Sequence, residues 1–209
     1  MNLLIIGATR GIGFQLLEQA LQAEYVITAL VRDPQKMPKQ HDRLKVVQGD
    51  ILDLETVQRS MAEQEAVCVT IGIGITGKPV TVFSQGTRNV LEAMRQQGVR
   101  RLICITGIGA GDSKNHGGFL YDRLFNPLLL KTIYEDKDRQ EALIRDSDTD
   151  WTIVRPGFLT NDPLTKKYQV ITDLTGITAG KISRADVAHF ILEELATNRY
   201  LGQAPLLTY

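Results

Sequence analysis

Gly7, Gly11 and Gly13 stand in "GATRGIG", directly after an apolar run and directly before an amphipathic one. Glycines so placed let the backbone close on a diphosphate, whose charge then rests on the amides of a helix N-terminus. Glycines also end strands for purely structural reasons, but the strand–turn–helix setting is the one a nucleotide site needs. A second cue follows at the end of the next apolar run. "ALVRDP" offers Arg32 where an NAD site would carry an acid for the ribose 2′-hydroxyl, and Arg10 and Lys36 add two more cations. Guanidinium suits a 2′-phosphate, so NADPH is the expected cofactor. Asp33, next to Arg32, argues the other way, and a merely solvated charged loop is the plain alternative.

The elements that must hold these residues alternate along the chain. Strands are expected at Asn2–Ile6, Tyr25–Val31, Leu44–Gln48, Ala66–Ile71, Arg101–Thr106, Trp151–Arg155 and near Pro205–Thr208. They are apolar nearly throughout, as parallel strands covered on both faces are. Helical periodicity marks Gly11–Gln22, Asp53–Ala62, Val80–Gln97, Lys131–Ser147 and Ser183–Thr197, with Asp53 and Ser183 as N-caps and Gly98 as a terminator. Such alternation predicts one α/β domain over residues 1–209, a Rossmann-type doubly wound parallel sheet. Two insertions, about 107–130 and 157–181, follow strand C-terminal ends and form the substrate side.

The 209 residues balance 24 basic against 24 acidic side chains, which argues against a nucleic-acid or anionic-membrane coat. No run reaches the roughly 20 apolar residues of a membrane span. "MNLLIIGA" lacks the basic start of a secretory leader. Cys68 and Cys104 sit in apolar runs and read as core residues of a reduced, cytoplasmic protein. His41, His116 and His189 show no ligand spacing, so no metal is expected. His189 reads as a packed or surface residue, and His116 as a loop residue near the substrate side.

"GATRGIG", "LVRDP", "VVQGDILD", "TRNVLEAMRQQGVRRLICIT", "DWTIVRPGFLTNDPLT" and "ISRADVAHFIL" together resemble the atypical short-chain dehydrogenase/reductases with an NAD(P)-binding, NmrA-like fold. Within them the resemblance is to the branch that reduces biliverdin IX-beta or flavins, and it spans nearly the whole chain. It implies that Gly7, Thr9, Arg10, Gly11, Ile12 and Gly13 form the pyrophosphate turn and that Arg32 meets the 2′-phosphate. Asp50 and Ile51 would touch adenine, and Ile71, Gly72 and Ile73 would lie beside the nicotinamide-side ribose. Thr106 and Lys137 would act as catalytic, orienting residues, with Pro156 and Phe158 flanking the nicotinamide.

The departures from the family pattern matter as much. Short-chain reductases pair Tyr-x-x-x-Lys, the tyrosine giving its proton to a nascent alkoxide. Four residues before Lys137 stands Ile133, while Tyr134 is only three before it. Gly107 replaces an expected serine, and Phe158 an expected histidine. A site without an acid suits acceptors that spread incoming charge over a conjugated system, such as a flavin or a biliverdin-like tetrapyrrole. Phe119, Tyr121 and Phe125, in "GGFLYDRLFNPLLL", and Phe158 are the expected apolar platform, with "DPLT" (162–165) as a lid. The same apolar stretch serves equally well as packing at a domain edge or a dimer contact. The charged Glu135–Glu141 run reads as a solvated helix face with Lys137 turned inward. The expectation is therefore an NADPH-dependent reductase of a small planar conjugated substrate, monomeric or weakly dimeric. A non-catalytic NADP(H)-sensing regulator is the rival.

Overall fold

The computed structural model describes residues 1–114, 116–118 and 130–209. Its elements run β1 (Asn2–Ile6), α1 (Gly11–Gln22), β2 (Val26–Val31), β3 (Leu44–Gln48), α2 (Leu54–Met61), β4 (Ala66–Val69), α3 (Val82–Gln97), β5 (Arg101–Ile105), α4 (Lys131–Arg145) and β6 (Asp150–Pro156). Then follow β7 (Phe158–Thr160), β8 (Gln169–Ile171), β9 (Lys181–Ser183), α5 (Arg184–Thr197) and β10 (Leu206–Thr208). Among the described residues, eight strands form one sheet in the order β3-β2-β1-β4-β5-β6-β10-β8. All neighbours are parallel except β10 and β8. The order reverses between β1 and β4, and such a switch point opens a crevice at the strand C-termini.

Side chains one residue apart point to opposite faces of a strand, so each buried strand feeds two cores. Leu3 and Ile5 pack with Leu16, Leu17 and Ala20 of α1 and Val187, Ala188 and Ile191 of α5. Leu4 and Ile6 pack on the other face with Val57 and Met61 of α2, Val90 and Met94 of α3 and Ile144 of α4. Each such side chain, fully withdrawn from water, stabilises the fold by roughly 1.5–3 kcal/mol. Cys68 lies in the first core and Cys104 in the second. Burial pushes the Cys68 thiol up to about 12 and Cys104 higher still, which keeps both unreactive.

Local signals set the element ends. Asp53 accepts from the Glu55 amide at 3.1 Å, and Ser183 from the Asp186 amide at 3.0 Å, each capping its helix. Gly98 ends α3 in the left-handed region at φ +71°.

Two expectations need correction. The third strand is not covered on both faces: β3 is the sheet edge, and Lys45, Val46 and Gln48 are exposed. Within the second insertion, β7 and β9 form a small parallel sheet and β8 extends the large one. Strands of three residues are too short for periodicity to reveal. Nor is Glu135–Glu141 a solvated face, because Asp136, Gln140 and Glu141 are at most 1% exposed. No described helix is long and apolar enough to cross a membrane.

Candidate active site

The glycine turn is built by steric demand. Gly7 sits at φ +102°, where a Cβ would press to 3.0 Å on the backbone of Thr70 and Ile71. A Cβ on Gly13 would lie 2.2 Å from the Gly7 carbonyl oxygen and 2.4 Å from Thr70 Oγ1, so α1 starts hard against the turn. Thr70 Oγ1 locks this contact by donating to the carbonyls of Ile6 at 3.1 Å and Gly7 at 3.3 Å. Thr70 carries no nucleotide signature and is legible only from the fold. Arg10 is the N-cap of α1 and has no acceptor to offer, so the first amides of the helix are left for an external anion.

From this turn a cleft of about 1090 Å³ runs across the C-terminal ends of the strands. One end is lined by Arg10, Arg32, Asp33, Lys36, Gly49, Asp50 and Ile51. Asp33 is already engaged: it accepts from the Gln35 amide at 3.1 Å and pairs with Lys36 at 3.2 Å. That leaves Arg32, which is exposed, as the cation next to it that faces the cleft. Asp50 does not cap α2; it accepts from the Leu52 amide at 2.9 Å and so shapes its own turn.

The other end gathers Ile71, Gly72, Ile73, Thr106, Tyr134, Lys137, Pro156, Phe158 and Leu159. Gly13 is the one proposed cofactor residue off this lining, and its part is the tight packing just described. Phe158 and Leu159 are 38% and 37% exposed, forming an apolar shelf. The expected platform residues Phe119, Tyr121 and Phe125 lie outside the described residues. "DPLT" is strapped down: the Thr165 and Lys166 amides donate to Asp186 at 3.0 and 2.7 Å, which ties the segment to α5. His116 shares a hydrogen bond with the Ile177 carbonyl at 2.9 Å, and His189 one with Tyr168 Oη at 2.9 Å.

At this second end, Lys137 and Tyr134 reach the cleft together. Positions three apart share a helix face as well as positions four apart. The Lys137 ammonium lies 5.5 Å from the centre of the Tyr134 ring and 5.4 Å from that of Phe83, and it donates to the Thr106 carbonyl. Withdrawal from water lowers its pKa to about 8, against the opposing pull of Cys104 and Glu141. A tyrosine therefore does stand beside the lysine, one position off the family spacing. The Thr106 hydroxyl is committed elsewhere, donating to Glu141 Oε1 at 2.7 Å. Glu141 in turn pairs with Arg155 at 2.5 Å, and Arg155 bridges to Asp112 at 2.5 Å. Thr106 thus serves this region through its backbone carbonyl.

A residue-level model for NAD(P)H-binding proteins matches positions 7–198. The chain belongs to the NAD(P)H-binding family. One relative is the reductase pytE of Aspergillus terreus, 27% identical across 97% of this chain and 96% of that protein. ChuY, an anaerobillin reductase from Escherichia coli O157:H7, superposes with a TM-score of 0.83 at 25% identity, covering 100% of this chain and 97% of that one. A short-chain dehydrogenase/reductase from Veillonella parvula, solved with NADP, gives 0.84 at 18% identity, covering 100% and 94%, and shares the fold. The glycine turn, the free start of α1 and the cation-lined end fit the dinucleotide that gives the family its description.

Proposed function

We propose that the chain is an NADPH-dependent reductase that passes hydride to a flavin or a biliverdin-like tetrapyrrole. The observation that carries it is the shared cleft: a phosphate end lined by Arg10, Arg32 and Lys36 opens onto the exposed shelf of Phe158 and Leu159. When bound, the nicotinamide supplies a hydride, and one further proton completes the reduction of the acceptor. Arg32 would neutralise the 2′-phosphate, while the α1 amides would hold the diphosphate. Lys137, charged below about pH 8, would donate to a ribose hydroxyl, fixed in place by Thr106. A flat conjugated acceptor would stack on the apolar shelf and exclude water there. Tyr134 is positioned to supply the proton, though an acceptor that delocalises charge also takes one from water.

The resemblance of ChuY and of the reductase pytE to this chain supports reduction as the reaction class. The test is NADPH oxidation by the purified protein, with and without FMN and then with a biliverdin. Acceptor-dependent consumption is expected, with NADPH preferred over NADH. Tight NADPH binding without consumption in the presence of either acceptor would overturn the reading in favour of a nucleotide sensor.

A further inference from the structure

Arg184 opens α5 and reaches back to the glycine turn. A Cβ on Gly11 would lie 3.8 Å from Arg184 Nε and 3.9 Å from its Cδ. Gly11 itself is at φ +62° and is the first residue of α1, so the Arg184 side chain lies beside the residue that opens the helix. Its Nη1 donates to the Thr160 carbonyl at 3.1 Å and to Asn161 Oδ1 at 2.8 Å. Those two residues end the short segment that begins with Phe158 and Leu159. One side chain therefore lies between the glycine turn and the 158–161 segment, and Arg184, Asn161 and Leu159 all line the same cleft.

We infer that Arg184 is a diphosphate-binding clamp that ties nucleotide occupancy to the position of the 158–161 segment. The inference rests on the dinucleotide reading above. A guanidinium carries five N–H donors in a rigid fork, and the two acceptors on the shelf side use Nη1 alone. The Nε edge, nearest Gly11, is the edge available to an anion held by the turn. Bridging then costs no rearrangement, and the anion adds a second anchor to a side chain already fixed at its other edge.

The diphosphate is common to NADPH and NADH, which separates Arg184 from Arg32. The experiment is fluorescence titration of both dinucleotides against the wild-type protein, Arg184→Ala and Arg184→Lys. It is paired with amide hydrogen exchange over residues 158–161 at saturating NADPH. Arg184→Ala is expected to raise both dissociation constants by the same factor, about 10- to 100-fold, as for a lost charge-assisted contact. NADPH is expected to slow exchange at 158–161 in the wild type but not in either variant. Arg184→Lys keeps the charge and the stem, so it retains most affinity while a single ammonium fails to bridge both sides. Affinities for both dinucleotides within twofold of wild type in Arg184→Ala would overturn the clamp. So would a loss confined to NADPH, or protection at 158–161 that persists in both variants. A wild-type protein that binds neither dinucleotide overturns the underlying reading instead.

Discussion

The two ends of the cleft are made in different ways. At the phosphate end, backbone sterics do the work: Gly7 and Gly13 leave no room for a side chain, and both lie within seven consecutive residues. At the acceptor end, groups from four distant stretches meet: Ile73, the Thr106 carbonyl, Tyr134 with Lys137, and Phe158 with Leu159. The first construction is local and admits one ligand chemistry. The second is assembled by the sheet and tolerates exchange of its members, so an acceptor can change while the cofactor stays.

That contrast orders the expected effects of mutation. The largest is Gly13→Val, whose side chain would collide with the Gly7 carbonyl and Thr70. It should abolish binding of NADPH and NADH alike in a titration, and selective loss would show that the turn is not the shared diphosphate site. Lys137→Met comes next, with kcat/KM down about 100-fold, the lower end for a lost acid–base or orienting group. Its pH signature is sharper. The folded-state pKa of about 8 means that the ammonium loses its proton as pH rises through 8. Affinity for NADPH should therefore be full below pH 8 and fall above it. In Lys137→Met that step should vanish; a step that survives would assign it to another group.

Arg32→Ala should raise the dissociation constant of NADPH about tenfold or more while sparing NADH, and equal losses would remove the 2′-phosphate assignment. Phe158→Ala should raise the KM for FMN several-fold and weaken nucleotide binding by a smaller factor, and equal changes in both would show that the two ends are not separable. The smallest effect is expected from Tyr134→Phe, less than tenfold in kcat with FMN. A loss of two orders of magnitude would make Tyr134 an obligatory proton donor.

Legibility in the sequence followed the same divide. The glycine turn and the strand–helix alternation are readable because each depends on neighbours in sequence. Tyr134 falls outside the family spacing of four, although a helix brings positions three apart to the same face as well. The burial of Asp136 and Glu141 is not legible in the sequence because charged residues default to solvent. Ile133, Asp136, Gln140 and Ile144 fall at steps of three and four, so the buried stripe was present with polar residues at two of its positions. Asp136 earns its place far away in sequence, accepting from the Phe83 amide at 2.8 Å and the Ser84 hydroxyl at 2.5 Å at the start of α3. Arg184 was hidden for a similar reason, since only the fold carries α5 back to the glycine turn.

The central claim, that the nucleotide is consumed rather than sensed, is tested most directly by hydride tracing. NADPH deuterated at the transferring position would be mixed with the protein and FMN in a single turnover. The account predicts FMN-dependent oxidation slowed by the deuterium and showing one preferred face of the nicotinamide. Stoichiometric, tight NADPH binding with no oxidation under FMN or a biliverdin would contradict it.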